Sequence, residues 1–248
     1  MEQIASWFRA LHASTGWNFT IFYDPFDARR FWHGFLTTCE LAGLAVLGSL
    51  VLGVVGAFAQ GSRLGPLRWL VAGYVGIFRN TPPLVQMYFC FFALGALTPT
   101  RTDDIGMAVP LISSFGWALI ALALFAGAFN VEIFRSGIEA VPRATVEAAE
   151  SLGYSRFGAY RHVVLPLAFR VCLPALNNNL VNLVKTTTLA YAIGVPEMLY
   201  VANQIWSDAL NVTEMMNVLL VLYIALVSLL VWTMRRWERS LRMPGYGG

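Results

Sequence analysis

Apolar positions along this chain fall in long blocks, not in the short alternations of half-buried strands or the single stripes of surface helices. A membrane-crossing helix needs about 20 predominantly apolar residues. Five blocks approach or exceed that length. The first covers residues 31–58 and is uncharged from Leu41 onward. The second covers 69–97 and is interrupted by Arg79-Asn80-Thr81-Pro82-Pro83. The third, 108–129, and the fifth, 215–234, carry no charge. The fourth runs from 171 to about 200 and contains several Asn residues and Lys185. The pattern predicts an all-α integral membrane protein with about five transmembrane helices. It divides into an N-terminal segment (1–30), a membrane domain (31–234) and a tail (235–248).

Composition narrows the class. Charged residues make up 12% of the chain and apolar residues 57%, whereas soluble domains carry roughly 25% charged residues. Most side chains are therefore expected to meet lipid or one another. No apolar stretch with a cleavage site occupies the first 30 residues, so the first span is expected to direct insertion itself. Cys39, Cys90 and Cys172 are irregularly spaced, and His12, His33 and His162 are scattered, so neither a disulfide framework nor a metal site is expected.

Charge sets the orientation, because Arg and Lys accumulate on the cytoplasmic side. Segments 59–68, 135–170 and 235–248 hold eleven arginines, and the opposite side holds four: Arg9, Arg29, Arg30 and Arg101. The N-terminus is expected outside, in the periplasm, and the C-terminus in the cytoplasm. In the first span Ala45, Ser49, Gly53 and Ala57 recur every four residues, which predicts a seam where another helix backbone packs closely.

The long cytoplasmic loop, 139–166, carries helix signals. Pro142 suits a first turn and Gly153 a C-terminal cap. Between them Thr145, Ala148, Ala149 and Leu152 fall on one small, mildly apolar face, with Arg143, Glu147 and Glu150 off it. Ser155 can cap a second short helix, expected to stop at Leu165-Pro166. A flat face of small residues admits a partner's backbone; a hairpin lying on the membrane surface is the plainer reading of the same pattern.

Glu147-Ala148-Ala149, three residues, Gly153, nine residues and Val163-x-Leu165-Pro166 resemble the EAA loop of ATP-binding-cassette importer permeases, with Val163 where Ile is usual. Phe78-Arg79-Asn80-Thr81-Pro82-Pro83-Leu84-Val85-Gln86, Glu132-Ile133-Phe134-Arg135-Ser136-Gly137-Ile138 and Leu183-Val184-Lys185-Thr186-Thr187-Thr188-Leu189 resemble stretches of the polar amino-acid (histidine/glutamate-type) branch. Asn80, Ser136 and Thr187 are small departures. Gly16-Trp17-Asn18-Phe19 and Leu241-Arg242-Met243-Pro244-Gly245 are similar to glutamate/aspartate permeases.

The resemblance implies a permease subunit in the inner membrane that receives its solute, a small polar amino acid, from a periplasmic binding protein. It implies an ATPase subunit dimer that grips Thr145, Glu147, Ala148, Ala149, Leu152, Gly153, Leu165 and Pro166. A second permease subunit is also implied, a paralogue in preference to a second copy, and no nucleic acid. ATP and Mg2+ would sit on the ATPase. In agreement, no Gly-x4-Gly-Lys-Ser/Thr phosphate loop precedes the lone lysine, Lys185.

Charged residues within spans are costly and are functional candidates by default. Glu40, Arg79, Glu132 and Lys185 qualify. A zwitterionic amino acid needs a cation for its carboxylate, which Arg79 or Lys185 could supply, and an acceptor for its ammonium, which Glu132 or Asn130 could supply. Thr81, Gln86, Asn178 and Asn182 complete the candidate path. The same charges could instead pair to hold helices together, and Asn177, Asn178, Asn179 and Asn182 could bond between helices. The 202–213 segment is expected to face the periplasm. An ion-coupled secondary transporter would be expected to show more spans and an internal repeat, and an intramembrane enzyme a nucleophile–base pair or metal motif. Neither pattern is present. Within the importer class a different small solute is the open alternative.

Overall fold

A computed structural model describes residues 2–102 and 106–241. Among them, four helices are long and apolar enough to cross a membrane: Pro25–Gln60, Ser114–Glu139, Arg156–Ile193 and Val212–Leu241. The first, α2 (Pro25–Gln60), begins six residues before the expected start at Phe31, because Pro25 occupies the first turn and Asp24 accepts from the Phe26 amide at 2.8 Å. An additional helix, α1 (Glu2–Thr15), precedes it.

The second expected span is not one helix. It divides into α3 (Gly65–Asn80) and α4 (Pro83–Tyr88), and α4 continues through wider and tighter turns to Leu97. The break lies at Thr81, whose backbone is extended (φ −118°, ψ 148°). A residue before proline is pushed out of the helical region, and Pro82 imposes this on Thr81. The third span also starts later than expected. Residues 108–110 form strand β2 (Ala108–Pro110), antiparallel to β1 (Thr100–Thr102), and α5 (Ser114–Glu139) follows.

After α6 (Arg143–Ser151) and the single turn α7 (Arg156–Ala159), the chain does not stop at Leu165-Pro166. A π turn at Tyr160–Val164 leads directly into α8 (Leu165–Thr186). Local π adjustment re-satisfies backbone groups that a proline would orphan, so Pro166 is accommodated; Pro174 lies within α8. The fourth span ends earlier than Tyr200, at Gly194 (φ +75°), a left-handed residue that closes the helix C-terminus. Pro196 follows, then α9 (Met198–Ala209) and α10 (Val212–Leu241). Arg242, Met243, Pro244 and Gly245, used above for orientation and end similarity, lie outside the described residues.

The described residues group into two compact units, those within 1–44, 83–121 and 185–228 in one and those within 45–82, 122–184 and 229–241 in the other. The first unit is centred on Phe31, Met198, Val201, Ala202, Ile205, Met215 and Leu219. The second contains the small-residue seam. Ala45, Ser49 and Ala57 are buried. A Cβ added at Gly53 would lie 2.4 Å from the Asn130 side chain, and one at Gly56 would lie 2.3 Å from Val131. Only glycine allows α2 and α5 to approach this closely, as small residues do between membrane helices.

Candidate functional site

In the second unit the loop of interest is folded into short helices. α6 has Pro142 at its N-cap with no side-chain cap, and it ends at Leu152, followed by Gly153 at φ +91°. Ser155 caps α7, accepting from the Gly158 amide at 3.1 Å. The expected common face of α6 is divided. Ala149 is buried, and Val146 packs near it on the cluster of Val141, Val164 and Ala168. Ala148 is exposed, and Leu152 is 81% exposed. The cause is the inward-facing row Val141–Val146–Ala149, which turns the neighbouring side chains outward. On α7, Phe157 is also exposed, at 72%. Glu147 and Glu150 lie beside it, with Glu150 3.8 Å from Arg156.

The same unit contains a charge cluster. Glu132 Oε2 is 3.0 Å from Arg135 Nη2 and 3.6 Å from Arg79 Nη1. Arg135 also pairs with Glu139 at 3.0 Å, and the Arg79 guanidinium lies 5.4 Å from the Phe129 ring centre. Arg135 was not foreseen in this role; its i, i+3 and i, i+4 spacing from Glu132 and Glu139 was the available signal. The cluster borders a cavity of about 810 Å³ lined by Gln60, Arg68, Glu132, Arg135, Glu139 and Tyr160, among others.

Asn130 is fully buried. Its amide donates to Ser49 Oγ at 3.1 Å, and its carbonyl accepts from Asn179 at 2.8 Å, while Asn179 also donates to the Ala126 carbonyl. These three polar side chains join α2, α5 and α8 in a satisfied network. Asn178 and Asn182 are exposed on α8, and Asn177 donates to Glu238 at 3.3 Å. Thr81 is exposed and donates to the Ile77 carbonyl at 2.8 Å.

In the first unit Gln86 is buried and Lys185 exposed. Among the described residues, neither Lys185 nor Glu40 makes an ion pair. Two carboxylates are buried in this unit, Asp27 and Glu197, and Glu197 has no exposed surface. Its carboxylate caps α9, accepting from the Leu199 amide at 3.0 Å and the Tyr200 amide at 2.8 Å, and from the Tyr223 hydroxyl at 3.3 Å. Thr38 Oγ1 takes the Met198 amide at 3.0 Å. Burial raises the Glu197 pKa to about 7; the bonds from Leu199, Tyr200, Tyr223 and Thr38 oppose the rise. The far end of α9 is tied by Arg30 to Asp208 at 2.8 Å, and by buried Asn211 donating to the Asn18 carbonyl at 2.7 Å. Glutamate is not a usual N-cap, so this site carries no local sequence signal for a capped helix.

Comparison with known proteins agrees with this architecture. The profile of the family described as "Binding-protein-dependent transport system inner membrane component" matches residues 49–243. The chain belongs to that family. Among relatives, this inner membrane component is 30% identical to the glutamate/aspartate import permease protein GltJ of Escherichia coli, over 95% of this chain and 99% of that one. It is 34% identical to the nopaline transport system permease protein NocM of Agrobacterium fabrum, over 86% and 89% of the two chains. A solved structure titled "Crystal structure of an amino acid ABC transporter with histidines" superposes with a TM-score of 0.75 and 28% identity, covering 86% of this chain and 94% of that chain. The MetNI methionine ABC transporter, at 21% identity and a TM-score of 0.62, shares the fold. The chain is thus a multi-pass membrane component of a binding-protein-dependent transport system.

Proposed function

We propose that this chain is the permease subunit of an ATP-driven importer in the bacterial inner membrane, carrying a polar amino acid of the glutamate/aspartate kind. The observation that carries the reading is the α6–α7 loop. It presents Ala148, Leu152 and Phe157 outward beside Glu147 on a short helix seated by Val146 and Ala149. An ATPase groove closing on that surface would move α5 and α8, to which the loop is joined. The N-terminal side of α2 is periplasmic and α10 ends in the cytoplasm, as the eleven-to-four arginine count supports. The chain crosses five times, counting α3 with the following apolar stretch Pro83–Leu97 as one crossing. The loop 139–166 and the tail 235–248 then lie in the cytoplasm and residues before α2 in the periplasm.

ATP hydrolysis belongs to a partner ATPase pair, solute delivery to a periplasmic binding protein, and the other half of the pathway to a paralogous permease. Arg79 and Glu132 offer the pair of charges that a zwitterion needs. Thr81, Asn178 and Asn182 offer exposed polar groups, and Gln86 and Lys185 are further path candidates. A different amino-acid derivative is the second reading, favoured by the 34% identity to the nopaline permease over 86% of this chain, against 30% over 95% for the glutamate/aspartate one.

The test is to tag the C-terminus, extract the complex in mild detergent and identify co-purifying chains, with Glu147→Arg as the paired variant. Recovery of a P-loop ATPase with the parent and its loss with the variant is expected. Absence of an ATPase from both would overturn the importer reading. Competition of labelled glutamate uptake by aspartate, cystine and nopaline then separates the two solute readings.

A further inference from the structure

Before the first spanning helix lies α1, whose apolar residues are grouped by helical spacing. At 3.6 residues per turn, Ile4, Trp7, Phe8 and Leu11 fall within an arc about 100° wide, with Glu2, Ser6 and Ala13 opposite. Phe8 and Arg9 fix this helix to its own chain, Phe8 also meeting the Phe19 ring edge-on at 5.8 Å. Phe8 stacks on Phe22 with ring centres 4.3 Å apart. Arg9 donates to the Tyr23 carbonyl at 3.2 Å and lies over the Tyr23 ring. Of the apolar arc these contacts use only Phe8, at one edge; Arg9 lies on the polar side. Ile4 and Trp7 remain 58% and 59% exposed.

Tyr23 is two residues before Pro25, the first residue of α2. The Arg9–Tyr23 bond therefore holds α1 beside the first turn of α2. The apolar surface does not end at α1. Phe22 carries it into a cavity of about 680 Å³ lined by Phe19, Phe31, Trp32, Phe35 and Leu222, with no charged side chain on its walls. That cavity lies against α2 and α10, two helices long and apolar enough to cross a membrane, and Phe26 and Trp32 of α2 are exposed.

We infer that α1 is an interfacial helix that lies in the membrane surface, with Ile4 and Trp7 inserted among phospholipid acyl chains. A helix of this kind sinks its apolar face about 5–10 Å into the boundary between headgroups and acyl chains. Tryptophan prefers that depth, its ring being apolar with one polar N–H. Under the orientation proposed above the leaflet is the outer one. The segment then acts as a float that fixes how deep α2 sits; it would not be a docking arm for the binding protein.

Spin labelling tests the inference with the full complex in bilayers of phosphatidylethanolamine and phosphatidylglycerol. Labels are placed at Trp7→Cys, Ile4→Cys and Ala13→Cys, and the parent chain treated identically gives the background from its own cysteines. Collisions with dissolved oxygen, which concentrates in lipid, are compared with those of a polar nickel chelate. Oxygen is expected to dominate at 4 and 7 and the nickel chelate at 13. Dominance of the nickel chelate at all three sites would overturn the inference by placing α1 in water. Exclusion of both reagents from 4 and 7 would also overturn it, showing that protein covers that face. Should Trp7→Cys weaken α1, Ile4→Cys on the same face retains the Trp7 anchor and gives an independent reading.

Discussion

Two of the short helices between the long ones, α6 and α9, are secured in opposite ways. α9 is fastened at both ends by its own chain. Glu197 and Thr38 hold its first amides, Arg30 and Asn211 hold its last turn and the residue beyond, and Val201, Ala202 and Ile205 are buried. α6 has no side-chain cap; it rests on one inward row and leaves Leu152 almost wholly exposed. The chain places polar contacts on both ends of α9 and no side-chain cap on α6; under the function proposed above, α6 is the helix that a partner completes.

The comparison breaks most visibly on the exposed side of α6. Leu152→Asp removes no packed contact, so thermal stability is expected to stay within about 0.5 kcal/mol. Transport by the reconstituted complex is expected to fall by about 10-fold or more, as for a truncated interface anchor. A large loss of melting temperature would instead place Leu152 in this chain's own core.

At α9 the order reverses. Glu197→Ala leaves two amides and the Tyr223 hydroxyl unpartnered, which costs about 2–3 kcal/mol. Thermal denaturation should show the loss while ATPase retention stays unchanged. Glu197 also supplies a pH signature. Its folded pKa of about 7 exceeds its ordinary 4.5, so the fold binds the proton more tightly than the unfolded chain does. The stability it contributes is full below pH 4.5 and lost as pH rises through about 7. The difference is at most about 3 kcal/mol. Melting temperature is therefore expected to rise from pH 8 to pH 5, and Glu197→Gln, which does not titrate, should flatten that slope.

Smaller effects sharpen the contrast. Gly153 sits at φ +91°, a conformation that costs other residues about 1–2 kcal/mol, so Gly153→Ala should loosen the end of α6 and lower ATPase retention. Asp208→Asn removes an ion pair whose acid is 65% exposed, and Arg30 keeps Asp27 at 2.8 Å. About 0.5 kcal/mol is expected in a melting curve.

What was legible in the sequence follows the same division. The apolar blocks located the long helices because lipid exposure needs uninterrupted apolar length. Pro142 and Gly153 marked α6 because caps act locally. The seam of Ala45, Ser49, Gly53 and Ala57 was readable as periodicity. The Glu197 site was not, since its partners Thr38 and Tyr223 are distant in sequence and glutamate is an unusual cap. The break at Thr81-Pro82 was visible as an interruption, but the continuation through Pro166 was not, because a π turn leaves no composition signal. Ala149 was placed on the outward face because spacing cannot tell which part of an apolar face the chain itself will cover.

Amide hydrogen exchange of the permease, alone and with its ATPase bound, tests the contrast most directly. Residues 143–152 are expected to exchange quickly alone and to slow markedly on ATPase binding. Residues 198–209 should be slow in both states. Unchanged exchange at 143–152 on binding, or fast exchange at 198–209 without the partner, would contradict the account.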